Sequence, residues 1–376
     1  MRRTSKVRRI FLCRTFLRRR YTALVPTFTA EHLTFACIDL LCACGASADE
    51  AQIVTHELVE SSLMGYDSHG VMRAVQYARE LRAGRICPNA SITLVKETAS
   101  TALVDCGMGF GAVSARRMVE IVVEKGSACG IASAVSQNCH HVGRLGAWVR
   151  LIAQQGLIGL AFANHVKSGH VVTPWGGREG RLGTNPLAYA VPRRNTLPLM
   201  MDMSTCMIPE GKLRVALHAG KQAPAGCIID AEGNPTTDPQ KFYGPPRGAI
   251  LPFGGAQGYK GFGLALLVEV LGSMLAGYAP SADYPHVNGL CLIAVDPEVY
   301  CGAERFLDLV EDLCAYETNV PPAAGFDEVM MPGMPDDRMK ELRLREGIPL
   351  PDETCRQMID VAAQAGLVLN LSGGME

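Results

Sequence analysis

"GMGFGAVSARRMVEIVVEKG", residues 107–126, decides how the chain is read. Its glycines follow the strand-like run "TALVDC" (101–106) and lead into a pattern of helical period. A dinucleotide-binding fingerprint here would need GxGxxG, with an acidic residue at the end of the next strand, about 20 residues on. The spacing is GxGxG instead, and Glu124 falls at the end of the following helix. The glycines therefore read as a tight turn before a helix. The expected fold is α/β, without the Rossmann arrangement.

Outward from this turn, strands and helices alternate. "SITLVKE" (91–97) precedes it as a strand. After it come "IASAVSQN" (131–138) as a strand, "VGRLGAWVRLIAQQG" (142–156) as a helix, and "LIGLAFAN" (157–164), "NPLAYAVP" (185–192) and "LPLMMDM" (197–203) as strands. The stretch before residue 90 reads as helices. Thr29 is a candidate N-cap with Gly45 as the stop, Ser47 and Glu50 form a capping box that opens a helix to about Met64, and a third helix is expected from Ser68 to Leu81. A glycine- and proline-rich region covers roughly 218–261. The apolar helix that follows, "GFGLALLVEVLGSMLAG" (261–277), has 17 residues and carries Glu269, which suits a core helix better than a bilayer span. Two polar helices joined by "GIPLPDE" close the chain.

Bulk composition narrows the function. The chain has 376 residues, 48 % hydrophobic and 19 % charged, enough for a sizeable core and unlike a disordered protein. Lys and Arg number 36 against 37 Asp and Glu, so nothing pulls the protein toward nucleic acid or anionic membranes, and a small-molecule substrate is expected. The 14 cysteines are dispersed without a CxxC, which points to free thiols and to no metal site. Residues 1–26 differ from the rest. They hold nine arginines and lysines, from Arg2 to Arg20, and no acid precedes Glu31. This is read either as a mitochondrial presequence, which would place the enzyme in the matrix, or as a disordered extension on a cytoplasmic protein.

Five short stretches carry candidate chemistry. "MGYDSHGVMRAVQY" (64–77) sets His69 and Arg73 four positions apart, on one face if the chain is helical there. "QNCHHVGRLG" (137–146) places His140 and His141 after a strand, where adjacent side chains diverge and at most one serves a given site. "LMMDMSTC" (199–206) puts Asp202, Ser204 and Thr205 at a strand end, where an acid needs partners such as a ribose diol. "GGAQGYKGFGLAL" (254–266) sets Lys260 in a glycine-rich loop ahead of a helix, a natural anion site. "WGGREGRLGTNPLAYAVP" (175–192) adds a loop whose amides and Asn185 can approach a ligand. A histidine of near-neutral pKa can move a proton and a guanidinium fork can hold a carboxylate, so a base and an anion clamp are on hand.

The order of these motifs is more telling than any one of them. SHG (68–70), HH-G (140–143), GTNP (183–186), DMST (202–205), GYKGFGLAL (258–266) and PGM (332–334) together resemble the malate/L-lactate dehydrogenase family that lacks a Rossmann fold. That family includes ureidoglycolate, sulfolactate and diketogulonate oxidoreductases. The resemblance runs from about Phe28 to about Leu367. It implies a mixed-sheet, non-Rossmann NAD(P)-binding α/β fold with N- and C-terminal helices, a homodimer, and hydride transfer between NAD or NADP and a small 2-hydroxy acid. It implies an α/β cofactor-binding lobe over 91–279 and a mainly helical dimer and substrate lobe from 27–90 and 280–376.

Residue by residue, the resemblance makes His69 the acid/base, with His141 competing for the proton and Ser68 orienting His69. Arg73 would clamp the substrate carboxylate, and Tyr77, one turn further, would touch substrate. The cofactor would meet His165, the strand Met200, Met201, Asp202, Met203, Ser204, Thr205 and Cys206, then Tyr259, Lys260 and Gly333. Three places depart from the family pattern: Met334 where relatives often carry glutamate, the longer lysine loop, and His165 in place of a small hydroxyl residue. Three other readings stand beside this one: a cyclic imino-acid reductase with the same carboxylate clamp, a non-catalytic binding relative, and a serine hydrolase built on Ser68 and His69. The last lacks GxSxG, and neighbours on a helix point apart.

Overall fold

The computed structural model of the protein describes residues 25–166, 169–218, 220–279 and 287–371. The basic extension, residues 1–26, lies outside the described residues except for Val25 and Pro26.

The amino-terminal helices start where their caps predict. Helix α1 (Ala30–Ala43) begins after Thr29, whose hydroxyl accepts the His32 N–H at 3.1 Å. Helix α2 (Ala48–Leu63) has the full capping box, with Ser47 N–H donating to the Glu50 carboxylate at 3.2 Å and Ser47 Oγ accepting from Glu50 N–H. The other oxygen of the buried Glu50 accepts the Asn89 N–H at 2.8 Å, so one carboxylate both starts the helix and anchors the loop that enters the sheet.

The third helix is shorter than the sequence suggests. The single helix expected from Ser68 to Leu81 is two elements, a 3-10 turn at Asp67–His69 and helix α3 (Arg73–Arg82). Gly70 is the reason. It is extended at φ −92°, and a Cβ there would lie 2.0 Å from Ser62 Oγ. That hydroxyl accepts the Val71 N–H at 3.0 Å. The backbone thus rests directly on α2, and α3 restarts beyond the contact.

A short strand β1 (Thr27–Phe28) is followed, after the helices, by β2 (Thr93–Glu97), β3 (Thr101–Asp105), helix α4 (Gly111–Cys129), β4 (Ile131–Gln137), α5 (Leu145–Gln154), β5 (Ile158–His165), β6 (Leu187–Val191) and β7 (Leu199–Met203). Helix α6 (Glu210–His218), strands β8 (Ile228–Ile229) and β9 (Pro235–Thr236), helix α7 (Pro239–Tyr243) and strand β10 (Ala249–Ile250) occupy the glycine- and proline-rich region. Then come α8 (Gly258–Gly272), β11 (Asn288–Val295), α9 (Glu298–Cys301), α10 (Ala303–Thr318), α11 (Met334–Glu346), β12 (Ile348–Pro349) and α12 (Asp352–Gln364).

The main sheet has seven strands in the order β2-β3-β4-β11-β5-β6-β7. Only β3 and β4 are parallel, joined through α4, and every other pairing is antiparallel. This is a mixed sheet and not a doubly wound one, as the GxGxG spacing implied. Strand β11 pairs with both β4 and β5, so the chain after residue 280 supplies a central strand as well as terminal helices. This strand is not among those expected from the sequence.

The pleat sends alternate residues to two cores. Ala161 and Ala163 of β5 face the larger core with Trp148 of α5 and Met118 of α4, while Phe162 faces Val268 of α8. Helix α8 starts three residues earlier than expected and takes in Tyr259 and Lys260. It lies on the sheet through Val268 and Gly272, packs Ala265 into a separate core with Val172 and Ile250, and its buried Glu269 accepts the Asn185 side-chain N–H at 2.8 Å. The stretch Gly255–Ala276 is long and apolar enough to cross a bilayer by length and composition, with 39 % of that window buried here. It is a sheet-covering helix whose other face, with Leu264, Leu266, Leu267 and Val270, is open, and so less enclosed than the core helix expected.

Replacing Glu50 by Ala removes the cap and the Asn89 anchor together. The expected cost is about 2 kcal/mol, read as a lower urea midpoint at unchanged m-value, with Glu50→Gln intermediate. A Glu50→Ala protein with the wild-type midpoint would show that the carboxylate holds neither element.

Candidate active site

Two histidines from distant elements meet in one cluster. His69 ends the 3-10 turn, and His141 sits in the loop between β4 and α5. Their rings stack with centroids 5.6 Å apart and planes at 21°. Tyr77 of α3 places its hydroxyl 2.7 Å from His141 Nδ1, and Ser68 Oγ lies 3.0 Å from His69 Nδ1. A hydroxyl can donate to an imidazole nitrogen or accept from it, so either tautomer of each ring is satisfied. Arg73 folds back over the turn and donates from Nε to Ser68 O at 2.7 Å and from Nη1 to Gln76 Oε1 at 2.5 Å. The turn itself is anchored by Asp67, which accepts from both terminal nitrogens of the buried Arg343 of α11.

The loop that carries His141 is placed by a glycine. A Cβ on Gly111, the last glycine of the GMGFG turn, would lie 2.3 Å from His141 O and 2.4 Å from His140 O. The start of α4 therefore packs against the backbone of the two histidines. His140 turns the other way, its Nε2 2.7 Å from Arg85 O. One of the adjacent pair serves the cluster and the other braces the loop.

Electrostatics keep the two imidazoles uncharged. Burial lowers the His69 pKa to about 3, helped by the positive charges of Arg73 and Arg144 and by His165. Burial also holds His141 well below the ordinary imidazole value, again with Arg73 and His69 adding to the effect. Beyond His69 lies a second group. Arg144 stands over the Tyr66 ring at 5.3 Å, the Tyr66 hydroxyl donates to Asp336 at 3.0 Å, and Asp202 of β7 accepts the Gly146 N–H at 2.7 Å. Burial raises the pKa of Asp202 and of Asp336. Tyr66, Met200, Met201, Asp202, Gly333 and Asp336 border an open cavity of about 590 Å³. The glycine of the PGM turn is set against β7, where Met200 N–H donates to Pro332 O at 3.2 Å.

The sequence profile of the malate/L-lactate dehydrogenase family matches residues 28–359. The chain belongs to that family. It is 34 % identical over 338 residues to an L-sulfolactate dehydrogenase of Methanocaldococcus jannaschii, which covers 88 % of this chain and 94 % of that protein. It is 32 % identical to hydroxycarboxylate dehydrogenase B of Escherichia coli, over 86 % of this chain and 90 % of that one. Its fold matches the solved structure of the M. jannaschii sulfolactate dehydrogenase with a TM-score of 0.82, at 32 % identity, covering 91 % of this chain and 98 % of that one. It also matches a Δ1-piperideine-2-carboxylate reductase of Pseudomonas syringae, with a TM-score of 0.76, 26 % identity and coverage of 89 % and 99 %.

Membership fits an oxidoreductase acting on hydroxy acids. Of the residues singled out in the sequence, Ser68, His69, Arg73, Tyr77 and His141 come together, and His165 is near enough to help lower the pKa of both rings. Met200, Met201, Asp202 and Gly333 form the second group. Thr205 uses its hydroxyl on the carbonyls of Thr184 and Asn185, Ser204 donates to Cys206 O, and Cys206 is buried. Tyr259 pairs edge-on with Trp175 and carries Lys260 Nζ 5.9 Å from its ring, and no hydrogen bond, ion pair or ring contact among the described residues links either to the histidines. Met203 follows Asp202 at the end of β7.

Two expectations about local geometry need correcting. His69 and Arg73 share no helix, since Gly70 divides them. Ser68 and His69 do reach hydrogen-bond distance, because a 3-10 turn aims neighbouring side chains differently from an α-helix. The steric argument against a serine hydrolase therefore does not hold, and it is the family relationship that turns against that reading. Arg144, Tyr66 and Asp336 escaped notice. Arg144 is visible in "HHVGRLG", but its burial is decided by α5 and β7 together.

Above pH 6.5 neither imidazole takes up a proton in the folded or the unfolded chain. As the pH falls below 6.5, the unfolded chain binds protons that the half-buried rings refuse, so stability is lost toward the folded pKa of about 3 for His69. The urea midpoint is expected to fall between pH 7.5 and 5, with His69 contributing on the order of 1 kcal/mol after solvent screening. A His69→Asn protein should lose less over the same interval. An equal loss in both proteins would mean that His69 is not held neutral.

Proposed function

We propose that the protein interconverts a small 2-hydroxy acid and its 2-keto acid by hydride transfer with NAD or NADP. What carries the reading is a stacked pair of neutral imidazoles beside the Arg73 guanidinium. A neutral imidazole is the form that accepts a hydroxyl proton, and a guanidinium fork orients a carboxylate through two bonds. In the keto-acid direction the same ring donates. The arriving carboxylate offsets the charge of Arg73 and so makes protonation of the ring easier. His69 and His141 compete for this role. Ser68 positions His69, and Tyr77, only 5 % exposed, positions His141 as well as bordering the substrate.

The cavity along β7 fits a nicotinamide cofactor in its chemistry. Met200 and Met201 offer thioether walls, the backbone at Gly333 closes one side, and Asp202 Oδ1 has acceptor capacity for a ribose hydroxyl while Oδ2 takes Gly146 N–H. A bound nicotinamide supplies the hydride acceptor. Met203, Ser204 and His165 extend that side of the site, Thr205 and Cys206 are buried behind it and hold the strand end in place, and Tyr259 and Lys260, in the first turn of α8, offer a ring and a cation to the more distant part of the cofactor. The open apolar face of α8 supports a homodimer with this helix at the interface. Cytoplasm is the compartment assigned, or the mitochondrial matrix if residues 1–26 act as a presequence.

The reductase relative favours one second reading, reduction of a cyclic imino acid by the same clamp and proton donor. A panel of 2-keto acids and one cyclic imine, each run with NADH and NADPH, separates the two. His69→Ala and His141→Ala should each lower kcat by about a hundredfold or more. Arg73→Ala should raise KM for the acid by about tenfold or more while kcat changes less. An unchanged KM in Arg73→Ala would remove the carboxylate assignment, and a protein that binds neither nicotinamide would be the non-catalytic relative. In light scattering, Leu266→Glu should convert a dimer to monomer, and a wild-type monomer would overturn the assembly.

A further inference from the structure

Helix α3 carries three polar side chains in a row behind the site. Arg73, Gln76 and Glu80 follow one another at helical spacing, which puts them on one face. Arg73 Nη1 donates to Gln76 Oε1 at 2.5 Å, and Gln76 Nε2 donates to Glu80 Oε1 at 3.0 Å. The ends of this row fix its direction. A guanidinium only donates, and an ionised carboxylate only accepts. The amide between them therefore has one orientation. Turned over, it would set its N–H groups against the guanidinium and its carbonyl against the carboxylate. The second oxygen of Glu80 is buried and accepts no hydrogen bond among the described residues. It lies 3.9 Å from Nδ1 of His140, whose Nε2 is 2.7 Å from Arg85 O. Glu80 thus stands between the helix that carries Arg73 and the loop that carries His141.

Arg73 uses two of its three nitrogens inside the protein. Nε donates to Ser68 O at 2.7 Å and Nη1 to Gln76, while Nη2 has no acceptor among the described residues. The two bonds together set the plane of the guanidinium. The bond to Ser68 is to backbone and does not depend on any other side chain. The bond to Gln76 exists only while the amide faces the right way. We propose that Glu80 is a positioning residue for the carboxylate clamp: it locks the Gln76 amide with its carbonyl toward Arg73, and so aims Nη2 and the rest of the fork at the acid. This rests on the dehydrogenase reading, in which Arg73 holds the carboxylate. Without the lock the amide can turn, and N–H donors then face N–H donors. Arg73 is left to swing on its Nε bond, and the fork loses its fixed angle to the reacting carbon. Glu80 acts throughout without touching substrate.

The test is a double-mutant cycle between Glu80 and Arg73. Wild type, Glu80→Gln, Arg73→Ala and the double variant are assayed on pyruvate and oxaloacetate with the reduced cofactor that the wild type uses. Glu80→Gln keeps the volume, but the new amide can meet either end of Gln76, so the lock is lost. It should raise KM for both acids by about threefold or more and change kcat less. Added to Arg73→Ala, it should raise KM no further, because no guanidinium is left to aim. Gln76→Met removes the amide itself and should reproduce the effect, and it carries the cycle should Glu80→Gln fail to fold. As a readout free of turnover, oxamate, a non-reducible isostere of pyruvate, is titrated onto protein loaded with reduced cofactor. Its affinity should fall in step with the rise in KM while affinity for the cofactor holds. A structural role for Glu80 would not produce this pattern. An unchanged KM in Glu80→Gln, losses that add in the double variant, or an equal loss of cofactor affinity would each overturn the inference while leaving the dehydrogenase intact. An unchanged KM in Arg73→Ala would overturn the clamp on which it rests, and a wild type that binds neither nicotinamide would overturn the dehydrogenase reading itself.

Discussion

The site depends on a close approach of backbones at Gly111. Helix α4 starts against the carbonyls of His140 and His141, at a separation that leaves no room for a Cβ. Any side chain there would push the loop away from the helix. His141 would then leave the ring of His69 and the hydroxyl of Tyr77, since both contacts come from a different part of the chain. A second approach of the same kind occurs at Gly70, whose backbone rests on Ser62. Two glycines thus fix two loops, and each loop delivers one imidazole. The glycines of the GMGFG turn are needed for protein packing, which is why they resemble a phosphate loop without having its spacing.

Once the rings are enclosed, electrostatics follow from what surrounds them. Burial removes water from His69 and His141, and Arg73 adds positive charge, so both effects oppose protonation. The free site is therefore basic in function and electropositive in field. An anion entering it relieves the guanidiniums and makes the imidazole easier to protonate in the same event. Proton-transfer competence is in this way coupled to occupancy by a negatively charged substrate. The coupling needs no moving part. It arises because the charges and the rings share one low-dielectric space.

Much of this architecture is legible in the sequence where local chemistry decides it. Thr29, Ser47 and Glu50 announce helix starts because their side chains bond the nearest free N–H groups. The short apolar runs "LIGLAFAN" and "LPLMMDM" announce strands because each is too short for a helix and follows a turn residue, Gly156 or Asn195. The motif order marked the family across nearly the whole chain. What was hidden depends on contacts between distant segments. Strand β11 is an apolar run between Asn288-Gly289 and Asp296-Pro297 that is not among the expected strands, and its central place is set only by β4 and β5, which both pair with it. The break at Gly70 depends on Ser62, and nothing in "DSHGVMR" announces it. Arg144 looks like an ordinary polar residue before a helix, and its burial follows from the packing of α5 on β6 and β7.

The sheet topology explains why the second group of residues lies where it does. A doubly wound sheet offers a crevice at the point where strand order reverses, beyond the carboxyl ends of parallel strands. This sheet has one parallel pair, β3 and β4, and α4 fills the crossover between them. No such crevice forms, so the cavity must be built at an edge. Strand β7 is that edge, with β6 on one side and the Pro332–Gly333 turn docking through Met200 N–H on the other. An edge strand leaves backbone groups and alternate side chains open to a ligand. Asp202 faces α5 from this edge and bonds its first free N–H region at Gly146, two residues from Arg144. The edge of the sheet, the start of α5 and the histidine loop are therefore one continuous piece of chain and contact, and the wall of the cavity and the imidazole pair are held in register by the same helix.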